Sequence, residues 1–246
     1  MRFAGNRRGA PSFSAGVRPA LLALLMVSAG ASQAFDIPPP PPPVYQGLIF
    51  PLFPNGSTIP FSGQAGTGRG TRSTGGAASK LTLAQGHSQA AAHARQLAAA
   101  FPAAQRDQMA KAYLESFGTY RQLEAKLGIP PDDVAGAVAA FISGNYMAYR
   151  GVDVPDDQYK RLVAQLRTAL ASSTEFSAAT PADKRRLYEQ TAMIGTFMAV
   201  ARLSFVQKPN PSAEKNFRES ARANLEFVPK VPAEQVRIGD GGLSLR

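Results

Sequence analysis

Apolar residues recur at helical spacing from Leu81 to Val228, and proline or glycine divides that stretch into six segments. The first is an alanine-rich helix over roughly Leu83 to Phe101, with Leu97 and Phe101 as its largest anchors. After Pro102, Met109, Ala112 or Tyr113, Phe117, Tyr120, Leu123 and Leu127 form a core-facing stripe that Gly128 ends. The third helix opens at Pro130-Pro131-Asp132-Asp133, where proline fits the first turn and acids suit the positive end of the helix dipole, and runs to about Tyr149 before Gly151. It has no charged side chain between Val134 and Tyr149, and Gly136, Ala140 and Gly144 fall four apart, a spacing that lets a neighbouring helix approach closely. This helix is expected at the centre.

Pro155-Asp156-Asp157 opens an amphipathic fourth helix, with Tyr159, Leu162, Val163, Leu166 and Leu170 facing in and Lys160, Arg161 and Arg167 facing water. Thr180-Pro181-Ala182-Asp183 is a near capping box for a fifth, whose stretch Ala192 to Val206 is apolar on nearly every side and belongs inside a bundle. That stretch, with an arginine in it, is too short to span a bilayer. Asn210-Pro211 starts a sixth helix, with Phe217, Ala221, Leu225 and Val228 inward, and Pro229 and Pro232 stop it. The pattern predicts an all-α fold, a bundle of five to six antiparallel helices over residues 81–228, with an irregular tail over 229–246.

Upstream the chain changes character. Arg2, Arg7, Arg8 and Arg18 precede a short apolar run, Ala20 to Ala31, and Ser32-Gln33-Ala34 supplies small residues for a cut between Ala34 and Phe35. Residues 1–34 are therefore expected to be a secretory signal peptide, and the mature chain to work in the periplasm or outside the cell, with no transmembrane span of its own. Pro38 to Pro43 is an unbroken proline run, a stiff extended spacer. Val44 to Phe61 is rich in aromatic and aliphatic residues, expected to dock on the folded domain or to meet a partner, and Gly63 to Lys80 returns to a Gly/Ser/Thr tether. Residues 35–80 thus form a disordered Pro/Gly-rich leader.

The 246-residue chain has no cysteine, which excludes disulfides, thiolate chemistry and a lipidated N-terminus. Its net charge of +10 falls to +6 once the four signal arginines leave 23 basic residues against 17 acids. No block of like charges marks a nucleic-acid arm, so no nucleic-acid partner is expected, whereas attraction to an anionic envelope surface is compatible with the balance.

The stretch Leu127 to Gly151 (LGIPPDDVAGAVAAFISGNYMAYRG), with the helical Pro155 to Leu170, Leu187-Tyr188-Glu189 and Ile194-Gly195, resembles an uncharacterised family of exported bacterial helical proteins, the domain of unknown function numbered 6683. The resemblance covers about Gln96 to Phe227 and implies no activity.

Chemistry is sparse. His87 and His93, the chain's two histidines, fall six apart on one helix, too far around it to share a metal, and are expected at the surface. No glycine-rich phosphate loop or serine elbow occurs, and no cofactor, metal or catalytic residue is assigned. Glu189 could be a carboxylate raised in pKa by an apolar flank, although a solvated position explains it too. Asn145 stands on the apolar face of the third helix, where a buried amide must bond to a neighbouring helix; alternatively Asn145, Tyr146, Tyr149 and Arg150 line a small polar cleft, with Arg150 offering a fork to a carboxylate or phosphate. Two functions follow as expectations. The first is a non-enzymatic envelope or secreted binding module with an envelope or extracellular partner; the second is a cell-wall or polysaccharide hydrolase working through carboxylates such as Glu189.

Overall fold

The structure, a computed structural model, describes residues 82–228 and 230–245. The expected signal peptide, its cut between Ala34 and Phe35 and the leader lie outside the described residues. Seven α-helices and one hairpin make up the described residues: α1 (Ala90–Ala98), α2 (Arg106–Leu127), α3 (Val134–Arg150), α4 (Asp156–Ala171), α5 (Thr174–Ala178), α6 (Pro181–Gln207), α7 (Pro211–Phe227), β1 (Val236–Gly239) and β2 (Gly242–Leu245). The fold is the expected all-α bundle, with the single-turn α5 as an addition.

Local chemistry sets the boundaries. Asp133 caps α3 by accepting Ala135 N–H at 3.1 Å, Thr180 caps α6 through Asp183 N–H at 3.1 Å, and Asn210 caps α7 through Ala213 N–H at 3.2 Å. Gly128 and Gly151 end α2 and α3 in the left-handed conformation, at φ 68° and 70°. Helix α1 begins at Ala90 rather than near Leu83, because residues 82–89 are drawn out as a strap across the bundle: Leu83 makes an antiparallel bridge with Asp133, and Ala84 N–H donates to Asp132 O at 2.8 Å.

At the centre α3 lies against α6, and every residue from Val134 to Ala148 is buried. The small-residue spacing does what it predicts. A Cβ built on Gly144 would sit 1.9 Å from Gly195 O, and one on Gly195 would sit 2.2 Å from Ala140 O, so the two backbones touch.

The sense of the helices is mixed. Tyr113 meets Phe197 and Tyr120 meets Tyr188, so α2 runs antiparallel to α6. Asp132, at the head of α3, pairs with Arg185 in α6, while Arg202, late in α6, reaches Gly151 O and Asp153 beyond the end of α3. The central pair is therefore parallel, because α4 and α5 carry the chain back between the two helices. The end where α3 and α6 begin is termed the head below, and the end where α3 stops the foot.

Three expectations change. Helix α6 is buried from Leu187 to Ala199 but then outruns α3, and Val206 is 67 % exposed rather than interior. Arg167 does not face water: its guanidinium pairs with buried Asp133. The tail is not irregular, since β1 and β2 pair antiparallel around the two-residue turn Asp240-Gly241, and the Gln165 side chain on α4 bonds both Leu243 N–H (2.8 Å) and Leu243 O (3.0 Å). Among the described residues no helix is long and apolar enough to cross a membrane.

Candidate functional site

The residues nominated on α3 divide between core and surface. Asn145 is fully buried: its Nδ2 donates to Phe141 O at 2.8 Å, and its Oδ1 accepts from Asn224 Nδ2 at 3.0 Å, tying α3 to α7. Tyr146 is buried in the core beside it. Tyr149 is half-buried at the foot, where its hydroxyl donates to Glu234 Oε1 at 2.7 Å and its carbonyl accepts from Arg218 Nε at 2.8 Å. Arg150 neither caps its own helix through its side chain nor stands open as a fork; Nη2 donates to Glu234 O at 2.8 Å. The structure therefore brings Tyr149 and Arg150 together with Glu234, and leaves Asn145 and Tyr146 inside.

Tyr149 also forms one wall of an open groove completed by Pro211, Glu214, Lys215, Arg218, Glu219 and Arg222 of α7. The guanidiniums of Arg150 and Arg218 lie 5.4 and 5.9 Å from the Tyr149 ring centre, within cation–π range. The hydrogen bond from Tyr149 holds the Glu234 carboxyl below its ordinary range and pushes the Tyr149 hydroxyl up. The α7 stripe is visible in the sequence as cations at positions 215, 218 and 222; Glu234, in the tail, carries no periodic signal.

Glu189 belongs to the head and is fully buried, not solvated. Its Oε2 is 2.7 Å from His93 Nδ1, and both carboxylate oxygens accept the Gln89 N–H, at 3.1 and 3.3 Å. His93 is accordingly buried, a correction to its expected surface position, whereas His87 is exposed. The pair joins α1 to α6 across 96 positions of sequence.

Around it lies a polar network that sequence patterning missed. Glu124 on α2, 1 % exposed, accepts the Tyr188 hydroxyl on both oxygens, at 3.1 and 3.0 Å. Burial pushes its carboxyl up to about 7, against the opposing pull of the Tyr188 hydrogen bond and the Arg121 charge. Asp132 bonds Arg121 (3.1 Å) and Arg185 (2.7 Å), and Asp133 bonds Thr82 Oγ1 (2.7 Å) and Arg167. Arg185, 6 % exposed, donates to three consecutive strap carbonyls: Ala84 (2.8 Å), Gln85 (3.3 Å) and Gly86 (2.9 Å). A near-neutral carboxyl can hold or release a proton, yet Glu124 has almost no exposed surface and its oxygens are spanned by Tyr188; its visible work is to fasten α2 to α6.

Among the described residues no group of three or more His, Asp or Glu side chains is placed to hold a metal ion.

A family model described as a family of unknown function, DUF6683, matches residues 64–246, and the chain belongs to that family. The match is wider than the resemblance from Gln96 to Phe227 and takes in the hairpin tail. No curated protein and no solved structure matches the chain.

Proposed function

We propose that this member of the DUF6683 family is an exported binding module that acts by contact, not catalysis, in the periplasm or outside the cell. The observation that carries the reading is the clasp on residues 82–89, the point where the leader enters the bundle. Six main-chain groups of this strap are held: Thr82 O by Val134 N–H, Ala84 N–H by Asp132 O, three carbonyls by Arg185, and Gln89 N–H by Glu189. Held this way, a contact made by the proline- and aromatic-rich leader is transmitted to the bundle.

The basic start of the chain followed by an apolar run and small residues supports export. The rival hydrolase reading leans on Glu189, whose oxygens are buried and engaged by His93 and Gln89. Joining residue 34 directly to residue 81 tests the proposal in cells. Partner recovery or envelope retention is expected to be lost while helical content and melting stay as in the intact chain; undiminished recovery would refute the role of the leader.

A further inference from the structure

The two ends of the bundle differ in how their charges are used. At the head, acids and cations are paired against one another and largely enclosed. At the foot, about 25 Å away along the 17 residues of α3, they are not. Arg202 is matched by Asp153 at 2.6 Å and Arg222 by Glu226 and Glu234, and what remains around the foot is Arg150, Lys208, Lys215 and Arg218 against Glu214 and Glu219. Glu234 sits beside Tyr149 and Arg150 as well as pairing with Arg222, so the excess of cations at this end rests mainly on exposed Lys208 and Lys215.

Exposed apolar surface collects at the same place. Of three large hydrophobic side chains that stand exposed among the described residues, two are here: Val206 at 67 % and Val152 at 43 %. Val152 follows Gly151, whose carbonyl Arg202 holds at 2.9 Å, and Val206 lies one turn beyond Arg202 on α6. The last turn of α6 and the start of α7 project as a corner, exposed continuously over residues 206–212 and braced by the Phe205 and Phe217 rings at 5.3 Å.

We propose that this foot is a docking surface for an anionic lipid bilayer, an inference that rests on the exported reading above. The neighbouring groove is lined by acids as well as cations, and it is the corner, exposed throughout residues 206–212, that stands out from the bundle. A bilayer surface conforms to it, takes an apolar tip into the boundary between headgroups and acyl chains, and pairs its anionic headgroups with the surrounding cations. Because the leader enters at the head, the bundle sits on the lipid with its tethered end turned away, leaving the leader to reach a second partner.

The test uses residues 35–246, which keep every described residue, and vesicles of neutral phosphatidylcholine with and without about 30 % phosphatidylglycerol as the anionic lipid. Partition onto the anionic vesicles is expected to exceed that onto neutral ones and to fall as salt is raised. Lys208→Glu/Lys215→Glu should lower it at least about tenfold, at roughly fivefold or more per reversed charge. Lys126→Glu/Lys184→Glu, the same charge change at the head, should retain most of the binding. The chain has no tryptophan, so Val206→Trp provides a single reporter whose emission shifts to the blue when the corner meets lipid. Equal partition onto the two vesicle types, an equal loss in the head and foot variants, or an unshifted Val206→Trp emission on anionic vesicles would each overturn the proposal. None of these results touches the leader-deletion outcome, so the broader reading stands or falls separately.

Discussion

Gly144→Ala places a methyl carbon where no carbon fits. The added Cβ would lie 1.9 Å from Gly195 O and 2.7 Å from Gly195 C, and the obstruction is backbone, which cannot rotate away as a side chain would. Restoring van der Waals contact requires α3 and α6 to separate by about 1.3 Å locally, and close-packed interiors lose much of their dispersion attraction over such a gap. The helix buried along fifteen consecutive residues bears the loss. Overpacking of this kind costs about 1–3 kcal/mol and more against backbone, while replacing a mid-helix glycine returns about 1 kcal/mol of propensity. With the cost at the upper end of that range, the expected net destabilisation is about 2 kcal/mol, a fall in Tm of about 4–8 °C for a domain of this size, read by thermal unfolding followed with circular dichroism. Gly118, exposed on α2 with nothing within 4 Å of its added Cβ, provides the control; Gly118→Ala should raise stability by about 0.5–1 kcal/mol. A Gly144→Ala protein that melts at or above the wild-type temperature would refute the backbone contact.

Other consequences follow from the polar groups. Glu124 has its carboxyl raised from 4.5 to about 7, so between those values the native state binds a proton that the unfolded chain has released, and stability falls as pH rises through that window. Denaturant titrations of Glu124→Gln should lack this decline and gain on wild type by about 3 kcal/mol at most between pH 4.5 and 8; parallel pH profiles would contradict it. Asn224→Ala leaves Asn145 Oδ1 without its inter-helix donor and should cost about 1–3 kcal/mol, with a coupling of about 1 kcal/mol to Asn145→Ala in a double-mutant cycle. Arg185→Ala should release the strap, so hydrogen exchange at the Ala84 and Gln89 amides is expected to quicken at least about tenfold while the centre of α3 stays protected. Glu189→Ala strands His93 and the Gln89 N–H and should cost about 2–4 kcal/mol, with Glu189→Gln intermediate because the amide oxygen still accepts from Gln89.

Much of this architecture is legible from spacing alone, because helix caps and helix faces are local. Thr180-Pro181 with Asp183 and Asn210-Pro211 each mark a helix start, and Gly136, Ala140 and Gly144 announce a close neighbour; the prolines and acids at 130–133 set the third start too early, since Pro130, Pro131 and Asp132 stand before the helix and Asp133 is its cap. What escapes such reading is whatever depends on distant pairing. Nothing near Leu83 shows that Arg185, about a hundred positions away, holds the strap out of helix. The parallel sense of α3 and α6 depends on the route through α4 and α5, which periodicity does not encode. Two signals were nevertheless present. Asp240-Gly241 between Ile238 and Leu243 is a hairpin turn dipeptide, and His93 shares the face of Leu97 and Phe101. Asn145 on the apolar face of α3 announces a buried amide in need of a partner, but the identity of that partner, Asn224, depends on the fold.

Helix α6 connects these observations, because it is the element along which the protein changes from closed to open. Tyr188 and Glu189, adjacent in sequence, reach Glu124 on α2 and His93 on α1, so one turn of α6 fastens both neighbours. Five turns later the same helix emerges from the bundle with Val206 in solvent. A substitution in the first region removes a buried partner and lowers the stability of the whole domain, whereas one in the second changes a surface and leaves the core intact. Loss of function in Asn145 or Glu189 variants therefore reports on a ligand site only if melting is unchanged, a condition their burial makes hard to meet. Exposed Lys208, Lys215 and Val206 meet that condition readily, so the contacts proposed above are best sought at the foot and in the leader, on either side of the enclosed polar network.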